Sequence, residues 1–216
     1  MKRRIFIISN GIINDPEFIR EKLGETNAPI IICADGAARY LRSLDIAPEF
    51  IIGDMDSIDD DTMRYFDKRK TTILTYPGNK DETDTQLALE YALKLKPDEI
   101  FIFGALGGRI DHSLANITLL IMGVKQGVDV KIIDEICELF IVNQQGVVKG
   151  KAGDTVSLLP LSSEVAGITL EGFEYPLSDG VMEIGVPYGI SNRLIDKKGI
   201  ITVKSGYLLV IRNFKV

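Results

Sequence analysis

Apolar and polar positions in the first two thirds of the chain follow two alternating patterns. Short runs rich in Ile, Val and Phe predict strands, and the segments between them carry apolar residues at helical spacing. The predicted strands are 5–9, 30–34, 50–53, 71–75, 99–104 and 130–133, and the predicted helices are 16–23, 36–44, 60–68, 83–95 and 114–123. Strands this apolar are covered on both faces, which is typical of a mostly parallel sheet with flanking helices.

The pattern changes after about residue 138, where helical spacing ends. Short predicted strands then follow one another, separated by Gly, Pro and Asn turns: 140–142, 155–159, 167–170, 181–184, 199–203 and 207–211. Such a series is typical of an all-β sandwich. The sequence therefore predicts an α/β domain at 1–140 and a C-terminal all-β sandwich domain at 141–216.

The composition narrows the class of protein. The chain has 216 residues, of which 45% are hydrophobic and 26% charged, as in an ordinary globular protein. Its net charge of −6 and its lack of a Lys/Arg-rich tract argue against nucleic acid as a partner. No apolar segment is long enough to span a membrane, so we expect no membrane contact. Cys33 and Cys137 lie in apolar runs and are expected to be buried thiols in the cytoplasm.

Two pairs of aspartates are the first candidates for chemistry. Asp54 and Asp56 follow the third strand, and a spacing of two on an extended backbone points both side chains the same way. Asp81 and Asp84 are three apart where a loop enters a helix, so we expect them to share one face of its first turn. Carboxylate oxygens suit Mg²⁺, which joins protein carboxylates to phosphates. The pairs predict a shared divalent metal; a solvated acidic loop or ordinary helix caps remain the alternative.

Ligands of open parallel sheets bind beyond the carboxyl ends of the strands. Residues suited to such a site follow the first two strands: Asn10, Asp35 and Gly36. The glycine-rich segment 104–112 lies between a strand and a helix, so its backbone N–H groups and Arg109 could bind phosphate. Lys80 could reach the same phosphate. Turn geometry, helix capping and a surface lysine are the competing interpretations, and no standard nucleotide motif decides between them.

Four ordered segments give a more specific indication. They read ADGAA at 34–38, GDMDSI at 53–58, KDETDT at 80–85 and GGRIDH at 107–112, and together they resemble the thiamine pyrophosphokinase family. A later segment, YGISNR at 188–193, is similar to the thiamine-side loop of that family. The resemblance implies transfer of an intact diphosphoryl group from ATP to the hydroxyl of thiamine, giving thiamine diphosphate and AMP with Mg²⁺. It also implies a homodimer with the active site at the subunit interface.

The resemblance further assigns roles to residues. The α/β domain is expected to bind ATP and Mg²⁺ and the β sandwich to bind thiamine. The expected metal ligands are Asp54, Asp56 and Asp84. The expected catalytic residues are Asp54, Asp81, Asp84 and Arg109. The clustering of the carboxylates, rather than the resemblance, suggests that Asp84 or Asp81 orients or deprotonates the attacking hydroxyl. The expected nucleotide contacts are Asn10, Asp35, Gly36, Lys80, Thr83, Gly108, Arg109 and Asp111. The expected thiamine contacts, from the partner subunit, are Ser191, Asn192 and Leu194.

The thiamine-side loop departs from the family pattern in two places. Relatives often have an aromatic residue where this chain has Leu194, so stacking on the ligand would be lost. Arg193 puts a second cation where a cationic thiazolium is expected, which makes sense only if its side chain points away. Two other functions stay open: a diphosphokinase acting on a hydroxymethyl-pterin, and a nucleotide or thiamine sensor without turnover.

Overall fold

The computed structural model describes residues 2–214 and divides the chain into two compact units. The first unit ends at Glu135 and the second begins at Ile136. The division predicted from sequence, between residues 140 and 141, falls inside the first strand of the second unit.

The first unit is an α/β domain. Its elements are β1 (Arg4–Ile8), α1 (Pro16–Gly24), β2 (Ile30–Ala34), α2 (Ala38–Ser43), β3 (Phe50–Gly53), α3 (Asp60–Asp67), β4 (Thr72–Thr75), α4 (Asp84–Lys94), β5 (Glu99–Phe103), α5 (Ile110–Gln126) and β6 (Asp129–Ile133). The strands lie in the order β6-β5-β1-β2-β3-β4, and every neighbouring pair is parallel. This confirms the predicted fold of the unit.

The strand order places a topological switch between β1 and β5. From β1 the chain builds outward through β2, β3 and β4, and it then returns to the other side of β1 with β5 and β6. The connections after β1 and β5 therefore diverge at the carboxyl edge of the sheet, which is where open α/β sheets bind their ligands. The strands themselves are held by buried apolar side chains such as Ile7, Ile32, Ile51 and Ile102.

Two helix starts differ from the sequence prediction. Thr83 caps α4, because its hydroxyl accepts a hydrogen bond from the N–H of Gln86 at 3.2 Å, so Asp84 is the first helical residue. Asp81 lies before this cap, and the expectation that it shares the first turn with Asp84 is wrong. α5 begins at Ile110 rather than Leu114, which places Asp111 in its first turn.

The second unit consists of two antiparallel sheets. Its strands are β7 (Cys137–Val142), β8 (Gln145–Lys149), β9 (Thr155–Pro160), β10 (Glu164–Glu171), β11 (Leu177–Glu183), β12 (Asn192–Arg193), β13 (Lys198–Thr202) and β14 (Leu208–Asn213). One sheet has the order β12-β9-β14-β7 and the other β11-β10-β13-β8. Both contribute to one core that includes Phe140, Leu158, Ile168 and Ile201. The predicted C-terminal β sandwich is confirmed, with β8 and β12 as strands that the sequence did not indicate.

Among residues 2–214, no helix is both long and apolar enough to cross a bilayer.

Candidate functional site

A cleft of about 660 Å³ opens at the carboxyl edge of the first unit's sheet. Loops after β1, β2, β3, β4 and β5 form it together with residues of α2, α4 and α5. Most of the residues predicted to handle metal and nucleotide line it: Asn10, Asp35, Asp54, Asp56, Lys80, Thr83, Asp84, Gly108 and Arg109. The cleft therefore gathers side chains that lie up to a hundred residues apart in the chain.

Three carboxylates in the cleft lie close together. Ligand oxygens of Asp35, Asp54 and Asp56 are all within 4.8 Å of one another. Asp35 is only 2% exposed, and it accepts hydrogen bonds from the N–H groups of Gly36 and Met55. Burial, followed by the negative charges of Asp84 and Asp54, raises the pKa of Asp35 to about 6. The site thus holds more negative charge than its hydrogen bonds compensate.

A strained turn brings Asp54 and Asp56 together. Met55, between them, has a φ of 68°, a left-handed conformation that is uncommon for a residue with a side chain. The N–H of Asp56 donates to Asp54 Oδ1 at 3.3 Å, and this bond lowers the pKa of Asp54. The extended backbone assumed from sequence therefore ends at Asp54, and a turn produces the convergence of the two side chains.

The carboxylate group fits a hard divalent cation. Its donors are all oxygens, the set that Mg²⁺ prefers, and a cation would offset the burial and the neighbouring negative charges that raise the pKa of Asp35. The grouping differs from the predicted ligand set, because Asp35 takes the place expected for Asp84. Asp84 Oδ1 instead accepts a hydrogen bond from Lys80 Nζ at 2.7 Å.

Lys80 is held firmly at the edge of the cleft. Its side chain is 10% exposed, and although burial opposes it, the contacts with Asp84 raise the pKa of Lys80. A charged lysine that interacts with Asp84, Asp54 and Asp35 compensates part of their charge before any ligand binds.

The glycine-rich loop after β5 has the backbone of an anion site. Gly104, Gly107 and Gly108 all have positive φ values, of 61°, 80° and 68°, which side chains would disfavour. The loop leads into α5, and its Ala105 carbonyl accepts a hydrogen bond from the buried Asn116 amide at 2.8 Å. Sequence reasoning missed Asn116, because a single buried amide inside a helix carries no signal.

Arg109 and Asp111 pair with each other. Two hydrogen bonds, of 3.1 and 2.5 Å, join the guanidinium to the carboxylate, and both side chains are well exposed. This pair lowers the pKa of Asp111 to about 2. Arg109 faces the cleft, whereas Asp111 does not line it. In this arrangement Asp111 orients Arg109.

Two further predicted residues lie outside the cleft lining. Asp81 is exposed, ahead of the α4 cap, and is not part of the carboxylate group. Gly36 lies behind the cleft, where a Cβ would come within 2.0 Å of the Asn10 amide nitrogen. Gly36 therefore allows Asn10 to approach the Asp35 loop.

Side chains to which the sequence assigned no binding role also shape the cleft. Thr85 on α4 donates a hydrogen bond to Ser9 Oγ, at the end of β1, at 3.0 Å, and both residues are buried. Arg39 and Tyr40 line the cleft from α2. The one feature of the sequence that could have indicated them is their position about one helical turn after Asp35.

The second unit has its own pocket, of about 240 Å³. Tyr175 and Tyr188 line it and are 63% and 54% exposed, so two aromatic faces are available there. The Tyr188 hydroxyl donates to the Val181 carbonyl, which fixes its ring. Leu194 removes one aromatic side chain that relatives often have, but Tyr175 and Tyr188 still offer aromatic surfaces in this pocket.

Asn192 has the character of a positioning residue in this pocket. Its Oδ1 accepts from the N–H groups of Tyr175 and Arg193 at 3.0 and 2.8 Å, and its Nδ2 donates to the Tyr175 carbonyl at 2.8 Å. It is 7% exposed. Most of its hydrogen-bonding capacity is thus used to hold the backbone of Tyr175.

The other residues of the thiamine-side loop face different directions. Leu194 is 2% exposed and belongs to the sandwich core, so the structure gives no support to its expected ligand contact. Ser191 is exposed, with a φ of 64°, and its N–H donates to Ser157 Oγ at 3.1 Å. Arg193 lies 3.8 Å from a carboxylate oxygen of Glu174, which partly compensates the charge that seemed out of place.

Comparison with known proteins gives the same division of the chain. The family profile "Thiamin pyrophosphokinase, catalytic domain" matches residues 23–132, inside the first unit. The profile "Thiamin pyrophosphokinase, vitamin B1 binding domain" matches residues 142–208, inside the second. Thiamine pyrophosphokinase of Bacillus subtilis (strain 168) is 37% identical over 170 residues, which cover 78% of this chain and 79% of that protein.

Solved structures show the same relationship. The crystal structure of thiamine pyrophosphokinase from Bacillus subtilis matches with a TM-score of 0.88 and 32% identity, covering 99% of this chain and 100% of the other. The enzyme from Geobacillus thermodenitrificans matches with a TM-score of 0.84 and 28% identity, covering 98% of each chain. On the evidence of profile, sequence and fold together, the chain belongs to the thiamine pyrophosphokinase family.

Proposed function

We propose that this protein transfers the diphosphoryl group of ATP to the hydroxyl of thiamine, giving thiamine diphosphate and AMP. Membership of the family makes it an ATP-dependent diphosphotransferase. The single observation that carries the assignment of the site is the grouping of Asp35, Asp54 and Asp56 within 4.8 Å, in the unit that matches the catalytic profile. Phosphoryl-type transfer depends on positioning and charge neutralisation, which such a cleft provides.

The cleft residues divide the work of binding ATP. Asp35, Asp54 and Asp56 would hold Mg²⁺, which when bound neutralises phosphate charge and polarises phosphate oxygens. Lys80 and Arg109 contribute fixed positive charge, and the loop at Gly108 offers backbone N–H groups to the nucleotide. Thr83 and Asn10 complete the polar lining.

The transfer step needs an acceptor for one proton. The thiamine hydroxyl oxygen attacks the β-phosphorus of ATP, the bond from that phosphorus to the α–β bridging oxygen breaks, and AMP leaves. The hydroxyl proton passes to a carboxylate, for which Asp84 is the candidate, because it lines the cleft and Lys80 fixes its position. Asp81 was the other sequence candidate, but its exposed position outside the cleft lining favours Asp84.

Thiamine binding belongs to the second unit in this proposal. The pocket bounded by Tyr175 and Tyr188 suits a flat, cationic ring system, because a positive charge near an aromatic face is stabilised. Asn192 keeps Tyr175 in place, and Ser191 lies next to it in the loop. Leu194 is left with a packing role.

The proposal includes a homodimer with the active site at the subunit interface, in the cytoplasm. Exposed apolar side chains on α5, Ile110 at 77% and Leu114 at 60%, support an association between subunits. The buried thiols of Cys33 and Cys137 are compatible with a reducing compartment. Light scattering gives the mass in solution. Mixing inactive Asp84→Asn with inactive Tyr188→Ala should restore activity only if sites are shared between subunits.

The decisive experiment is an assay of products. Purified protein is incubated with ATP, Mg²⁺ and thiamine, and AMP and thiamine diphosphate are quantified. The proposal expects equal amounts of both and a large loss of turnover in Asp84→Asn. ADP instead of AMP, or AMP only with a hydroxymethyl-pterin, would refute it. Ligand binding without turnover would indicate a sensor.

A further inference from the structure

Among the described residues, one lysine and two arginines line the catalytic cleft, and they differ in their partners. Lys80 donates to Asp84 at 2.7 Å, and Arg109 is paired with Asp111 through two hydrogen bonds. Both cations therefore face a carboxylate already. Arg39 is the third, and in the described part of the chain its hydrogen bonds go to neutral acceptors.

The guanidinium of Arg39 is held in place by uncharged groups. Its NH1 donates to the Gly36 carbonyl at 3.1 Å and its NH2 to the Tyr40 hydroxyl at 3.1 Å. Its central carbon lies 4.6 Å from the centroid of the Tyr40 ring. Two of its five N–H donors are used in this way, and the remaining ones retain their capacity for an anion.

Tyr40 connects this guanidinium to the β1 loop. Its hydroxyl donates to the Gly11 carbonyl at 2.9 Å while accepting from Arg39. Gly11 lies next to Asn10 in the loop that borders the cleft. Because these contacts already restrict the side chain of Arg39, it loses less conformational entropy when it binds a ligand.

We propose that Arg39 binds a phosphate group of the nucleotide, with Tyr40 as the positioning residue that holds its guanidinium. A triphosphate carries several negative charges into a cleft that already contains a carboxylate group, so a cation without a carboxylate partner has the largest gain in interaction on binding. The inference rests on the proposed use of ATP and adds a residue that the sequence motifs did not indicate.

The test compares three variants in steady-state kinetics. Arg39→Gln should raise the KM for ATP about 10-fold or more, the loss typical of one charge-assisted hydrogen bond, and leave the KM for thiamine unchanged. Arg39→Lys should recover part of the loss, because charge without the fork geometry still attracts phosphate. The matched control is Arg42→Gln, since Arg42 lies on the same helix but contacts Thr62 at 2.6 Å outside the cleft lining.

Inhibition by nucleosides identifies the contacted group. If Arg39 binds phosphate, Arg39→Gln weakens the binding of phosphorylated nucleotides, measured as inhibition by AMP or as affinity for ATP. The weak inhibition by adenosine, which has no phosphate, stays unchanged. An equal loss for adenosine would mean a contact to base or ribose and would overturn the proposal. An active enzyme whose KM for ATP is insensitive to Arg39→Gln would overturn it as well. Failure of the proposed function is a separate result, because the unmodified protein would then form no AMP.

Tyr40 is tested by a double-mutant cycle. Tyr40→Phe removes both hydrogen bonds of the hydroxyl but keeps the ring, and it should raise the KM for ATP about 2- to 5-fold in the natural protein. In the Arg39→Gln background the same change should have no further effect on this KM, because Tyr40 acts through Arg39. An additive effect in both backgrounds would contradict the positioning role, and equal melting temperatures would exclude a loss of folding as the cause.

Discussion

Replacing Asn192 by Ala should lower the stability of the second unit, and any effect on thiamine binding should follow from that structural change. The side chain makes three hydrogen bonds of 2.8 to 3.0 Å, two to the backbone of Tyr175 and one to the N–H of Arg193. At roughly 1 kcal/mol of net stability for each bond, Asn192→Ala should cost about 3 kcal/mol. The 7% exposure of the side chain means that water would not readily replace those partners.

Two measurements follow this change. Urea unfolding gives the free energy, and hydrogen exchange measured on peptides that contain Tyr175 gives the local effect. The variant should exchange the Tyr175 amide much faster than the natural protein, and the KM for thiamine should rise because the Tyr175 ring is no longer fixed. Ser191→Ala is the control: its side chain is exposed, so we expect a stability change within about 0.5 kcal/mol.

The reasoning fails if Asn192→Ala unfolds at the same urea concentration as Ser191→Ala and keeps the Tyr175 amide protected while the KM for thiamine rises. Asn192 would then be a ligand contact whose hydrogen bonds to Tyr175 contribute nothing to stability. The sequence resemblance alone favours that simpler role, and the experiment separates the two.

Three further predictions concern other positions. Burial and the nearby negative charges raise the pKa of Asp35 to about 6. Protonation of Asp35 therefore contributes to the stability of the metal-free protein. This contribution is fully present below pH 3.8, the ordinary pKa of the group, and is lost as the pH rises through 6. Mg²⁺ binding near pH 6 should therefore release protons, and calorimetric heats that do not depend on the ionisation enthalpy of the buffer would contradict this. Asn116→Ala should cost about 1–3 kcal/mol and raise the KM for ATP, because the Ala105 carbonyl loses its partner; an unchanged melting temperature would count against it. Leu194→Ala should cost about 2–5 kcal/mol in urea unfolding without changing the KM for thiamine in the folded protein, since Leu194 is a core residue.

Most of the fold could be predicted from the sequence because apolar periodicity is a local property. The buried strands β1, β2, β3 and β5 are short runs of Ile and Phe, which periodicity detects directly. β8 was missed because its Gln145–Lys149 segment is mostly exposed and contains Gly146, so its apolar content is low. β12 has two residues and no periodicity to detect.

The sequence predicted most residues of the cleft from their positions after the strands, but it predicted which side chains converge only where they are neighbours in sequence. Asp54 and Asp56 were identified from their spacing, although a turn at Met55 brings them together. The third member of the group, Asp35, directly follows β2, and no spacing in the sequence relates it to the other two. The expectation that Asp81 shares the first turn of α4 with Asp84 was wrong, because the helix cap at Thr83, one residue before Asp84, decides which carboxylates share a turn.

In the proposed function, the charges in the cleft would couple the binding of Mg²⁺ to the binding of the nucleotide. Burial, and after it the negative charges of Asp84 and Asp54, raises the pKa of Asp35, so a polyphosphate that enters without a cation would add more negative charge to a site that already disfavours it. A divalent cation between the carboxylates and the phosphates would turn their mutual repulsion into a net attraction, because each of them is attracted to the cation. Each ligand must then strengthen the binding of the other, since coupling between two sites is reciprocal. Lys80 and Arg109 cannot replace the cation in this role, because each is already paired with an aspartate.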